Sequence, residues 1–241
     1  MVQLTQLEYI QGISTLIFVL IAVILGLKVS SIYFKYKRRE FYLAGLTLIL
    51  LVSPYYFAVI DFLMIILTGI PAPVEIIYIG ISLVAFTSLT WLTLITDLLY
   101  KQKQKIILGL IIIQIVAFEI FLIYAILVQP TLILIPFGGR YYREAPILIY
   151  YYIFSMLIFL ITGFLFARGS VKSENKEVRL KGKFLFVALI SYVIGAILDI
   201  AFEATAFTET LARLVQISSF TEFYIGFTLP DFIKKALIKN D

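Results

Sequence analysis

The chain has 241 residues, 62% of them hydrophobic and 15% charged, against roughly 45–50% and about 25% in a soluble domain. A mean hydropathy of +1.03 with 16% aromatic residues excludes a soluble globular fold, a disordered tail and a collagen-like chain. The sequence contains neither cysteine nor histidine. That excludes disulfides, thiolate metal sites, haem ligation, most zinc sites and histidine-based catalysis, so no cofactor and no metal is expected.

Seven apolar stretches, at about 10–34, 41–67, 76–99, 106–128, 147–167, 184–203 and 208–229, predict an all-α polytopic membrane protein with seven transmembrane helices in residues 1–230. Most reach the ~18–20 residues that cross ~30 Å of hydrocarbon, and continuous runs are unlike the alternation of a membrane β-barrel. The N-terminal MVQLTQLEYIQG lacks a basic n-region and reads as the start of an uncleaved span. Pro54 in LVSPYYF interrupts the second stretch, as a plain kink or as a break where Ser53 and a freed carbonyl line a cavity. In the third, Thr87, Thr90, Thr93 and Asp97 share about a third of the circumference and face the bundle, where hydroxyls join helices; Asp97 is within reach of Lys101. The segment QPTLILIPFGGRYYREAP before the fifth stretch predicts a β-hairpin lid turning at Gly138–Gly139, with Arg140 and Arg143 facing anionic headgroups as the competing reading. Tyr150, Tyr151 and Tyr152 then suit an aromatic belt. The last two stretches are joined by the short polar connection Glu203–Thr208, and residues 231–241 form a short amphipathic cytoplasmic tail.

Segments 28–39, 101–105, 168–183 and 234–239 hold 17 of the 20 basic residues. Positive residues stay cytoplasmic, so the expected orientation is N-terminus outside and C-terminus inside, in the cell membrane. The basicity is therefore topology plus attraction to anionic lipid at the inner face. The expected partners are the bilayer, that lipid, and a cytoplasmic signalling protein or a second copy of the chain, with no nucleic acid.

Ionisable residues at membrane depth are costly and are candidate functional groups. At 1.5 Å per residue, Asp61, Glu119, Asp199 and Arg213 fall about 21–27 Å from the inner boundary, in one layer near the outer side. Glu209, Arg213 and Gln216 form a stripe on one helix face. Arg213 is expected to neutralise a carboxylate, with Asp199 first, Glu119 second and Asp61 third. The cluster is then either a structural pin or a ligand or ion site. Glu222, with no evident partner, is a further candidate. The last stretch has no lysine before Lys234, which excludes retinal binding, and the Pro-Gln signature of seven-helix sugar transporters is missing.

The topology, KYKRRE after the first span and the string GGRYYREAPILIYYYIFSMLIFL resemble the N-terminal seven-helix sensor region of prokaryotic histidine kinases, with Tyr142, Pro146, Tyr151 and Ser155 in the aromatic-Pro-apolar-Tyr pattern. Those proteins continue into a kinase or cyclase domain, which this sequence lacks. The resemblance implies a stand-alone sensor or receptor that binds a small amphiphile or cation and signals to a separate partner. A small secondary transporter or ion carrier using Asp61, Glu119 and Asp199, and a scaffold subunit of a membrane complex, are the alternatives. With neither His nor Cys and no recognisable paired carboxylates, the chain is not expected to be an enzyme.

Overall fold

The computed structural model describes residues 3–136, 142–201 and 205–238. Every apolar stretch is helical. Helix α1 spans Gln6–Tyr36. Its first turn is closed by a capping box, in which Thr5 N–H donates to Glu8 at 2.6 Å and Glu8 N–H to the Thr5 hydroxyl at 3.3 Å. The second stretch is not one helix but two. Pro54 has no N–H to give, so α2 (Arg39–Leu51) ends, a 3₁₀ turn occupies Ser53–Tyr55, and α3 (Tyr56–Thr68) resumes. The break packs on α4 (Glu75–Leu98), where the Ser53 hydroxyl donates to the Gly80 carbonyl at 3.1 Å. Helices α5 (Gln104–Val128), α6 (Pro146–Val171), α7 (Lys176–Ala201), α8 (Ala206–Thr228) and the short α9 (Asp231–Leu237) complete the chain.

Six helical segments are long and apolar enough to cross a membrane among the described residues; α8 is not one of them. Arg213, Gln216 and Ser219 are buried inside the bundle, so they lower the hydropathy of α8 without facing outward. The outer surface is instead apolar. Ile106, Ile113, Ile120 and Leu127 repeat every two turns along α5 and are each more than 60% exposed, as suits a hydrocarbon surround rather than water.

Helix α1 packs against α2 and α8, α7 against α6 and α8, and α4 against α2, α5 and α6. Phe18, Leu48, Leu94, Leu189, Phe220 and Phe223 fill the centre. Helices α1 and α2 approach closely because Gly45 has no side chain: a Cβ there would lie 2.2 Å from the Gly26 carbonyl oxygen.

Strands β1 (Leu134–Pro136) and β2 (Tyr142–Glu144) pair antiparallel with Leu134 opposite Glu144, the hairpin expected from the sequence. Its Gly138–Gly139 turn and Arg140 lie outside the described residues, as does Glu203 of the α7–α8 connection. The hairpin is anchored where the Ala145 N–H donates to the Ile133 carbonyl at 2.8 Å, and Ile133, Leu134, Ala145 and Leu148 are all buried.

Candidate functional site

Arg213 on α8 is 7% exposed, and a buried guanidinium is tolerated only when its charge and donors are met. Its Nη2 lies 2.9 Å from Asp199 Oδ1 on α7 and 3.5 Å from Glu209 Oε2 one turn earlier on α8. Nε donates to the Thr15 hydroxyl on α1 at 3.1 Å, and Nη1 to Gln216 Oε1 at 2.8 Å. Gln216 Nε2 donates in turn to the Tyr55 hydroxyl at 2.9 Å, and that hydroxyl donates to Asp199 Oδ2 at 2.6 Å. The result is a closed ring, Arg213–Asp199–Tyr55–Gln216, joining α7, α8 and the 3₁₀ turn. The guanidinium carbon also stands 4.6 Å from the Tyr55 ring centroid, a cation–π contact. Gln11 on α1 extends the network by donating to Glu209 at 3.1 Å. Gly195 on α7 makes room: a Cβ there would sit 2.7 Å from Gln216 Cγ.

Asp199, ranked first from the sequence, is thus the interhelical partner of Arg213. The single layer of four charges is not formed. Asp61 accepts from the Ala72 N–H at 2.8 Å and ties α3 to the connection before α4. Glu119 accepts from Ser82 at 2.9 Å between α5 and α4. Equal depth brought these two no nearer to Arg213, because α3 and α5 do not pack on α8. Glu222 accepts from Ser218 through Oε1 at 2.9 Å, and its Oε2 is buried without a hydrogen bond among the described residues.

At the opposite end of the bundle Asp97 is held by three groups. Arg39 is bidentate at 2.7 and 2.5 Å, Lys101 donates at 2.6 Å, and Gln104 at 2.8 Å. The Thr47 hydroxyl donates to Thr90 at 2.9 Å between α2 and α4, while Thr87 and Thr93 bond back to their own helix.

The other wall of the ring faces a cavity of about 420 Å³ between α4, α6, α7 and the 3₁₀ turn, within the size range of small-molecule sites. Tyr55 and Asp199 line it, as do Pro54, Thr87 and Ser155. Pro54 therefore borders a cavity as well as breaking a helix. At one end Glu144 of β2 reaches in, and farther along lie Trp91 and Phe159, with ring centroids 4.5 Å apart. The Trp91 indole N–H donates to Thr162 at 2.8 Å. Glu144 is an exposed residue, but the side of its carboxyl that meets the cavity is desolvated, which raises it above its usual range, and the nearby Asp199 charge adds to the effect. Of the residues carrying the family resemblance, Pro146 is the first residue of α6, Ser155 faces the cavity, and Tyr151 stacks on Phe118 at 3.6 Å.

The sequence singled out Asp199, Arg213, Gln216 and Pro54 here. It missed Thr15, Gln11, Tyr55, Glu144, Tyr152 and Tyr192. Tyr55 carried a usable signal, since it directly follows the helix-breaking proline and so had to leave the α2 face. Among the described residues no group of three metal-ligating side chains is gathered at one place. No family model matches the chain, and neither a curated protein nor a solved structure is significantly similar to it.

Proposed function

We propose that this integral membrane protein is a seven-span sensor or receptor whose cavity takes a small amphiphile or cation. The observation that carries the reading is the double membership of Tyr55 and Asp199, which line the cavity and also close the buried ring around Arg213. A molecule bound against them competes for the hydrogen bonds that fix α7, α8 and, through Thr15, α1. Occupancy would thereby bias the packing of three helices, as a population shift requires. The resemblance to kinase sensor regions points the same way.

In this reading α8 is the seventh span. Its 23 residues extend about 34 Å at 1.5 Å per residue, and its charges turn inward. The basic ends of α1, α4 and α7 then form the inner face, where Lys172, Lys176, Arg179, Lys181 and Lys183 meet anionic lipid or an acidic signalling partner. The transporter alternative is less well supported, because Asp61, Glu119 and Asp199 are each engaged in a different place and form no continuous path.

The test uses Trp91, the one tryptophan of the chain, which lines the cavity. Amphiphiles of matched length titrated into the protein in nanodiscs should change its emission saturably. They should also change the labelling rate of a cysteine introduced at Ser173. Asp199→Asn should leave the emission change and abolish the labelling change. Emission that never saturates would end the receptor reading.

A further inference from the structure

Resting on that reading of the cavity, we infer that its ligand class is a cationic amphiphile: an ammonium head between Glu144 and the tyrosines, and an apolar tail toward Trp91 and Phe159.

Charge is the first argument. Two carboxylates, Glu144 and Asp199, line the cavity, and among the described residues no lysine or arginine does. Asp199 shares the single guanidinium of Arg213 with Glu209, which lies outside the ring, so the ring and Glu209 together hold two carboxylates against one base before Glu144 is counted. Glu144 has no cation partner among the described residues. A positive head would neutralise this excess, whereas a carboxylate or sulfate head would add to it.

The second argument is the surface around those charges. Tyr152 and Tyr192 line the cavity, and neither hydroxyl has a hydrogen-bond partner among the described residues. Carboxylate, phenol oxygens and aromatic faces together form the environment that favours ammonium ions. Among the described residues, no guanidinium or lysine belongs to the lining.

The third argument is polarity along the long axis. Glu144 precedes α6 by two residues, whereas Phe159 is thirteen residues beyond Pro146, or about 20 Å along the helix. On α7, Asp199 and Tyr192 are seven residues apart, about 10 Å. The carboxylates are therefore concentrated at the hairpin end, and the rest of the lining carries no charge: Trp91, Phe159, Val84 and Met156, with the hydroxyls of Thr87, Ser88 and Ser155 among them. The cavity is charged at one end and uncharged, with large apolar side chains, at the other, as a single-tailed amphiphile is.

The experiment compares decyltrimethylammonium, decanol and decyl sulfate against the full chain in nanodiscs, read by Trp91 emission, with Trp91→Phe as the blank. The ammonium should bind at least about tenfold tighter than either other probe, and Glu144→Gln should erase about that factor for the ammonium alone. Tyr152→Leu, a second variant that leaves Glu144 in place, should weaken the ammonium more than decanol. If decanol or decyl sulfate binds as tightly as the ammonium, or if both variants bind it like the parent protein, the ammonium assignment is wrong while the cavity remains an amphiphile site. If none of the three probes gives a saturable change, the cavity reading itself falls and the assignment with it.

Discussion

The hydroxyl of Tyr55 donates to Asp199 Oδ2 at 2.6 Å while Arg213 holds Oδ1 of the same carboxylate at 2.9 Å. One side chain thus joins a helix break, α7 and α8. Both oxygens of Asp199 are engaged, so the carboxylate is fixed in orientation as well as in charge.

Removing Arg213 leaves Asp199 buried without its counter-charge. Arg213→Ala should destabilise the protein by about 3–5 kcal/mol, the usual cost of breaking a buried pair from one side. Adding Asp199→Asn should recover part of that loss. The same cycle with Glu119→Gln should be additive within about 0.3–0.5 kcal/mol, because Glu119 shares no partner with Arg213. Thermal melts in one detergent measure all of these. Additivity for Asp199 would mean the ring is not a unit.

Gly195→Ala tests the ring from the other side. Alanine gains about 1 kcal/mol of helix propensity. Its Cβ would lie 2.7 Å from Gln216 Cγ, and Gln216 cannot swing away while bonded to both Arg213 and Tyr55. Overpacking of this kind costs about 1–3 kcal/mol, so the net change should be destabilising. Combining it with Gln216→Ala should relieve the clash, which a melt would register as a non-additive gain.

What the sequence revealed follows from which coordinate each signal reports. Hydropathy runs report position along the chain, so α4 was expected at about 76–99 and lies at Glu75–Leu98. Charge depth reports height above one boundary and nothing about azimuth. Asp61, Glu119 and Asp199 looked equivalent on that scale, yet only Asp199 is on a helix that packs against α8. Adjacency in sequence, through the short α7–α8 connection, was the signal that singled it out. Glu144 had no such signal, because its approach to the cavity depends on the β1–β2 register and on the Ala145–Ile133 anchor. Tyr152 reads in the sequence as an interfacial belt residue and Tyr192 carries no signal there; the packing of α6 on α7 brings both to the cavity wall.

The two ends of the bundle differ in charge, and that fixes an accessibility experiment. Arg39 meets Asp97 beside Lys101, and Lys234 pairs with Glu177, so the basic segments are joined in pairs across neighbouring helix ends. With those ends inside, a reporter after Asp241 is cytoplasmic. Cysteine at Ser173 should then be protected from an impermeant reagent in intact cells, and cysteine at Thr131 should be labelled. The reverse pattern would invert the assignment.

The Glu144 carboxyl offers a pH readout with a definite sign. It faces Asp199 of α7 and the Tyr152 phenol of α6, with Arg143 beside it on its own strand, and partial desolvation at the cavity raises it above the usual carboxylate value. The folded protein therefore binds this proton more tightly than the unfolded chain does. By linkage, its contribution favours folding at acid pH and is lost as pH rises from the ordinary carboxylate value through the raised one. Glu144→Gln mimics the protonated form at every pH. Melting curves of the two proteins should differ least at the acid end and diverge toward neutrality, with the variant the more stable. Because Glu144 is exposed on one side, solvent screening keeps the effect small, so the diagnostic is the pH window rather than the size. Affinity for an ammonium probe should move oppositely, strengthening as the carboxylate ionises across the same window, and it should be flat in the variant. A melting difference that grows toward acid would reverse the sign and remove Glu144 from the desolvated wall of the cavity.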